Sequence, residues 1–295
     1  MKIVILGGTG LIGSHLKPVF EKQNHSVSCL GREAFQASFD LSGVLNGTDL
    51  LINLSGANIG QRWSKGYEEV LWKSRVQTTQ QVARVIQTLS KPPKRIIAAS
   101  AIGFYPETDC AHPVDESTTQ PGSGFLADLS VAWETASREL SDTVLIFRFG
   151  VVLSTQGGAL HKMLPAFKLG LGGSVAGGQQ CFSWIHIDDL AQGFLFALEH
   201  PNMHGIYNLT APRPLTQKAF GQTLADTLHR PFFLPLPHWQ LKLMFGKGAQ
   251  VLTHSSAVLP SKLITMGFQF HYPTAKKALQ NLLTRSHKTL LNRHK

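Results

Sequence analysis

Residues 3–13, IVILGGTGLIG, decide how this chain is read. An apolar β-type run, Ile3 to Leu6, stops at the paired glycines Gly7 and Gly8. Gly7, Gly10 and Gly13 stand at GxxGxxG spacing, and Leu11 to Phe20 continues with helical character. A strand, a tight turn and a helix N-terminus in that order make a dinucleotide phosphate site. The glycines let the backbone turn sharply, approach a pyrophosphate and pack helix on strand, while free N–H groups and the helix dipole face the anion. A glycine pattern alone is a weak signal. Its position, just after a first strand and ahead of a helix, makes it a strong one.

Working outward, strand-like runs alternate with helix-like runs. Lys2–Leu6, Ser26–Leu30, Leu50–Leu54, Arg95–Ser100 and Val144–Phe149 read as strands. Leu11–Lys22, Lys65–Leu89, Phe125–Leu140 and Leu160–Leu169 read as helices. This alternation predicts an α/β fold with a doubly wound parallel sheet. Gly170–Gly178 carries five glycines and reads as loop. A helix over Asp188–Glu199 with Asp188 as its cap, a strand at Gly205–Leu209, and a helix over Thr216–Leu228 capped by Thr216 follow. Residues 231–266, richer in Pro, His and aromatics, read as a small lobe over the sheet edge. The expected division is a nucleotide-binding domain over 1–230, with part of the substrate lobe inserted around 155–186, and a C-terminal lobe and basic tail over 231–295.

The chain has 295 residues, is 43% hydrophobic and carries a formal net charge of +10. These values fit a soluble globular protein with a sizeable core. No apolar run approaches the roughly 18 residues of a membrane helix. Met1-Lys2 leads directly into the first strand, which predicts no signal or transit peptide. Cys29, Cys110 and Cys181 are scattered without metal spacing, and their sparse, odd count points to a reducing cytoplasm. No metal site is expected. Part of the positive charge sits in Arg285, His287, Lys288, Arg293, His294 and Lys295. That tail lacks interleaved aromatics and reads as solvated, so neither nucleic acid nor membrane is expected as a partner.

The residue after the second strand sets the choice between NAD and NADP. An acidic side chain there accepts from the ribose 2′-OH, whereas arginine offers a planar fork to a 2′-phosphate. Here the strand ends in Gly31-Arg32, which predicts NADP(H), while Glu33 argues the other way.

Seven motifs in order carry a family resemblance: GGTGLIG, LINLSGANI (51–59), SRVQTT (74–79), SAIGFY (100–105), FRFGVVLS (147–154), FSWIHIDDLAQG (182–193) and YNLTA (207–211). With them the chain resembles an atypical extended short-chain dehydrogenase/reductase of the "epimerase family protein" subgroup, some of whose members carry a "cell division inhibitor" label. The resemblance runs to about Leu282 and implies a Rossmann-type sheet of about seven parallel strands with a C-terminal substrate lobe. It implies that Gly7, Thr9, Gly10, Leu11, Ile12 and Gly13 hold the pyrophosphate, and that Gly31 and Arg32 meet the 2′-phosphate. Leu54 and Ser55 would lie along the adenosine, Arg75 would approach from the long helix, and Ser100 and Val152 would border the nicotinamide. Leu54 and Val152 read equally as core, and Arg75 as a helix partner of Glu68 or Glu69.

The tyrosine and lysine that short-chain dehydrogenases use for proton transfer are missing. Aligned on Trp133-Glu134, their positions hold Leu126 and Ser130. The literal match, Tyr272 to Lys276, lies far downstream and reads as chance. Ser100, Tyr105 and His186 remain as catalytic candidates, with pocket-wall and loop-fixing roles as the alternatives for the last two. Phe182 stands where sugar-nucleotide epimerases carry a diphosphate-binding arginine, which argues against a nucleotide-sugar epimerase or dehydratase. Phe182, Trp184, Arg62 and Trp63 are candidates for a substrate wall. Two readings follow: an NADP(H)-dependent oxidoreductase on an unidentified small substrate, or a catalytically silent NADPH-binding interaction protein. Kinship adds a possible homodimer through Lys65–Leu89.

Overall fold

The computed structural model describes the backbone of residues 1–292 and side chains through Arg285. The chain opens with β1 (Lys2–Leu6), α1 (Leu11–Glu21), β2 (Ser26–Leu30), α2 (Leu41–Leu45) and β3 (Leu50–Asn53). One long helical stretch follows as α3 (Tyr67–Trp72), a π-turn at Lys73–Gln77 and α4 (Thr78–Gln87). Next come β4 (Arg95–Ala101), α5 (Phe125–Arg138), β5 (Leu145–Phe149), β6 (Val151–Leu153) and α6 (Gly158–Lys168). The C-terminal half holds β7 (Cys181–Phe182), β8 (Trp184–His186), α7 (Ile187–Glu199), β9 (Gly205–Leu209), β10 (Leu215–Thr216) and α8 (Gln217–Leu228). It ends with α9 (His238–Phe245), α10 (Gln250–Thr253), α11 (Ser261–Thr265) and α12 (Ala275–Asn292).

The central sheet has six strands in the order β2-β1-β3-β4-β5-β9, all paired in parallel. The expected count of about seven is corrected to six. The residues after β5 leave the sheet instead, forming a parallel pair β6–β8 and an antiparallel pair β7–β10. Strands covered on both faces need apolar residues at every position. In β1, Ile3 and Ile5 pack against α1 and α7, while Val4 and Leu6 pack against α2 and α4. Strand order reverses across β1, with β2 on one side and β3 on the other. The carboxyl ends of β1 and β3 are therefore the switch point where an open α/β sheet receives its ligand.

The division at residue 230 does not separate two cores. Leu263 and Phe268 belong to the main sheet cluster, and Ala278, Leu279 and Leu282 pack with α6, β8 and α8. The segment 254–259 is braided with residues 106–114: Val258 pairs in parallel with Val114, and Ser256 Oγ donates to the Pro106 carbonyl at 2.7 Å. A disulfide joins Cys110 of this braid to Cys181, 71 positions later in the sequence, with Cα atoms 5.3 Å apart. With two of the three scattered cysteines bonded, cysteine usage no longer argues for a reducing compartment. Cys29 alone is free. Among the described residues no helix is long and apolar enough to cross a membrane. His287 and Lys288 side chains and residues 293–295 lie outside the described residues.

Candidate cofactor site

The turn after β1 is shaped so that side chains are excluded. Gly7 has φ +71°, and a Cβ there would stand 2.6 Å from the Leu54 carbonyl. A Cβ on Gly13 would stand 2.4 Å from Gly8 Cα, so the helix approaches the turn more closely than any other residue allows. Gly10 is the N-cap of α1 and offers no side-chain cap, and no acidic residue lies in the first turn. The orphan N–H groups of that turn keep their affinity for an anion. Leu11 leans on Gly157 and Gly158 at the start of α6, and Val152 lies in the strand just before, so β6 and α6 flank this helix start. Leu54 and Val152 are also half-buried core residues.

Beside the turn stand a buried hydroxyl without a hydrogen-bond partner among the described residues and a buried cation without a carboxylate. Ser55 is buried, and its hydroxyl has no hydrogen-bond partner among the described residues. A Cβ on Gly7 would lie 3.0 Å from the Ser55 amide. One residue on, a Cβ on Gly56 would lie 3.1 Å from the Arg75 guanidinium carbon. Arg75 is carried by the π-turn, an element common at functional sites because it displaces one side chain from the regular helix face. Its guanidinium donates to the Ala57 carbonyl at 3.1 Å and lies over the Trp133 ring at 5.2 Å. It pairs with neither Glu68 nor Glu69, which are held by Lys247 and Lys73. Burial lowers its pKa to about 10, which leaves it charged at neutral pH. A buried cation without a carboxylate is costly unless something anionic or strongly dipolar completes it.

Arg32 is exposed and has no ion-pair partner among the described residues. Glu33 folds back instead, accepting from the Gly31 amide at 2.5 Å, and that bond holds its carboxyl below the usual range. It lies at the end of β2 beside Thr9, where a Cβ on Gly31 would be 3.1 Å from the Thr9 hydroxyl.

The three catalytic candidates do not converge. Ser100 is 1% exposed and donates to Glu134 Oε1 at 2.8 Å. Arg148 closes on the same carboxylate, Nε to Oε1 at 2.6 Å and Nη2 to Oε2 at 2.8 Å, and its guanidinium lies 3.5 Å over the Phe104 ring. Tyr105 is fully buried, and its hydroxyl bonds Asn208 Oδ1 at 3.0 Å. Burial pushes that phenol up, away from the range useful for proton exchange. His186 is the N-cap of α7: its Nδ1 accepts from the Asp188 amide at 2.9 Å, and its ring stacks on Tyr272 at 3.8 Å. Burial lowers it to about 4, against the opposing pull of Asp188. Asp188 is thus not the cap; it holds His15 at 3.0 Å and Arg285 at 2.6 Å. Ser100, Tyr105 and His186 Nδ1 are thus each bonded inside the protein, while the buried His186 Nε2 has no hydrogen-bond partner among the described residues. The aromatic wall is corrected: Trp184 is fully buried, Trp63 packs on Phe125 at 5.5 Å, and Phe182 packs on Phe220 at 4.6 Å. Only Arg62 of the four is exposed.

Comparison with known proteins matches residues 3–210 to the NAD dependent epimerase/dehydratase family and residues 236–282 to a domain of unknown function, DUF1731. The chain belongs to the NAD-dependent epimerase/dehydratase family. An "Epimerase family protein" of Staphylococcus aureus strain MRSA252 is 35% identical, covering 96% of this chain and 99% of that protein. The crystal structure of the human epimerase family protein SDR39U1, isoform 2, with NADPH superposes with a TM-score of 0.87 at 33% identity, covering 96% of this chain and 99% of that one. A nucleoside-diphosphate sugar epimerase from Corynebacterium glutamicum superposes with a TM-score of 0.75 at 27% identity, with 96% of this chain on 58% of that one.

Within this epimerase/dehydratase frame, Leu126 and Ser130 on α5 do face the end of β4. A Cβ on Gly103 would be 3.4 Å from Leu126 Cβ and 3.6 Å from Ser130 Oγ. Ser130 turns its hydroxyl back to the Leu126 carbonyl at 2.8 Å. The proton-transfer pair is replaced by a hydrocarbon and a self-satisfied hydroxyl. The residues that sequence reasoning missed are Glu134 and Arg148. A signal was present: a lone arginine inside the apolar strand LIFRF and a lone glutamate on the inner face of α5 require each other.

Proposed function

We propose that this epimerase-family chain binds NADP(H) and acts as an oxidoreductase on an unidentified small substrate, without the Tyr/Lys pair. The observation that carries the reading is the row Gly7–Ser55–Gly56–Arg75, where a side-chain-free turn adjoins a buried hydroxyl with no hydrogen-bond partner among the described residues and a buried cation held by carbonyls and a ring but by no carboxylate. Those groups fit a dinucleotide. The glycine turn and α1 would take the pyrophosphate, Arg32 the 2′-phosphate, and Ser55 and Arg75 the polar atoms of the nucleoside side. The bound nicotinamide would supply hydride. NADPH in the human relative supports the same choice.

The second reading, a cofactor-binding protein without turnover, draws on Leu126 and Ser130. One experiment separates them. Purified protein is titrated with NADPH, then incubated with NADPH and a panel of aldehydes, ketones and quinones while nicotinamide absorbance is followed. Tight binding with oxidation of NADPH by a panel member is the expected result. Tight binding without turnover transfers the case to the silent reading, and absence of binding overturns both.

A further inference from the structure

The charge of this chain is divided sharply. Asp226 is the last acidic residue; residues 227–295 hold ten Lys and Arg and no Asp or Glu, so the whole formal excess of +10 lies there. Most of the exposed large apolar side chains among the described residues lie there too, with Leu169 outside it just after α6. Leu169, Phe233, Trp239 and Leu243 are between 66% and 76% exposed, with Leu234 and Met244 beside them in sequence. None of the six belongs to a buried cluster.

They form one face. The Phe233 and Leu234 amides donate to the Gly172 carbonyl at 3.0 and 3.1 Å, which seats that segment next to the residues ending α6. Two residues after Leu236, α9 begins. It turns Leu241 inward, while Trp239 and Leu243, at i and i+4, share an outer face with Lys242 between them. Lys168 and Arg230 are exposed in the adjoining segments. Glu68 is held by Lys247, just beyond α9, at 2.7 Å. The helix is therefore inverted: its water-facing side is apolar and cationic together.

We propose that this face docks on a lipid surface carrying anionic headgroups. Charge complementarity selects that occupant. A second copy would set one acid-free basic segment against another, whereas an anionic bilayer accepts the lysines at headgroup level and Trp239, Leu243, Met244 and Phe233 at the acyl boundary. The proposal departs from the sequence expectation of no membrane partner, which weighed the charge without knowing that apolar side chains stand beside it. The Trp63 amide donates to the Phe245 carbonyl at 3.0 Å, so the docked face borders the loop that leads away from the cofactor turn. The proposal stands independently of turnover.

Full-length protein is sedimented with vesicles of phosphatidylcholine alone and of phosphatidylcholine with phosphatidylglycerol, beside the double variant Trp239→Ser/Leu243→Ser. Both positions are exposed, so the variant keeps its fold, and its NADPH binding serves as the check. Wild type is expected to pellet with the anionic vesicles only, and the variant to bind them roughly tenfold or more weakly, from the apolar area withdrawn. Failure to bind either vesicle overturns the proposal. So does equal binding by the variant, which places the contact elsewhere. Vesicle-independent self-association abolished by the variant assigns the face to a second copy and overturns it as well, and capture of an acidic protein without vesicle binding assigns it to a protein partner.

Discussion

Removal of the Glu134 carboxylate probes the buried network under the site. Glu134 is 1% exposed and accepts three short bonds, two from Arg148 and one from Ser100, with exposed Arg138 a weaker partner at 3.6 Å. In Glu134→Leu, Arg148, itself 3% exposed, keeps its charge with only the faces of Phe104 and Tyr105 beside it. Breaking a buried ion pair from one side costs about 3–5 kcal/mol. The stranded Ser100 hydroxyl adds about 1 kcal/mol. Against the roughly 5–15 kcal/mol that holds a domain together, that is a large fraction. The double variant Glu134→Leu/Arg148→Leu removes both charges and should recover most of the loss, because the surrounding residues are apolar. Urea unfolding followed by tryptophan fluorescence on the wild type, both single variants and the double variant gives the coupling energy. A single-variant loss below about 1 kcal/mol, or a double-variant loss equal to the sum of the singles, refutes the argument that this pair is dry and mutually dependent.

Other outcomes follow from the same bonds. His186 has a folded pKa lowered to about 4 from 6.5, so between those values the unfolded chain binds the extra proton; stability is full above pH 6.5 and falls as pH drops toward 4. The His186 contribution is about 3 kcal/mol, and His186→Asn, which keeps a capping oxygen, should flatten that part of the pH–stability curve. Reducing the Cys110–Cys181 bond opens a loop of 71 residues and should cost up to about 4 kcal/mol in the chain-entropy picture, measured as a lower urea midpoint with dithiothreitol. Gly7→Ala forces a Cβ to 2.6 Å from the Leu54 carbonyl at a φ of +71°, and calorimetry should read NADPH affinity lower by roughly tenfold or more.

Much of the fold was legible in the sequence because its signals are local. The apolar runs of β1, β3 and β4, the glycine turn and the Thr216 cap, whose hydroxyl accepts from the Ala219 amide at 3.2 Å, depend on neighbours a few residues away. What the sequence concealed depends on distant partners. Nothing near His186 says that Tyr272 will stack on it, and nothing near Cys110 says that the braid of 106–114 with 254–259 will carry it to Cys181. Tyr105 follows β4 closely enough to look catalytic, yet Asn208, 103 residues later, takes its hydroxyl inward. The candidate cofactor turn was readable from the glycine spacing, whereas the partnerless Ser55 hydroxyl and the buried Arg75 without a carboxylate emerge only once β3 and the π-turn are placed together.

The direct test of the central claim is a calorimetric titration of the wild-type protein with NADPH and with NADH, repeated on Arg32→Ala. Saturable binding that is tighter for NADPH, with the preference lost in Arg32→Ala, is the expected result. Binding of neither nucleotide, or equal binding of both that Arg32→Ala leaves unchanged, would contradict it.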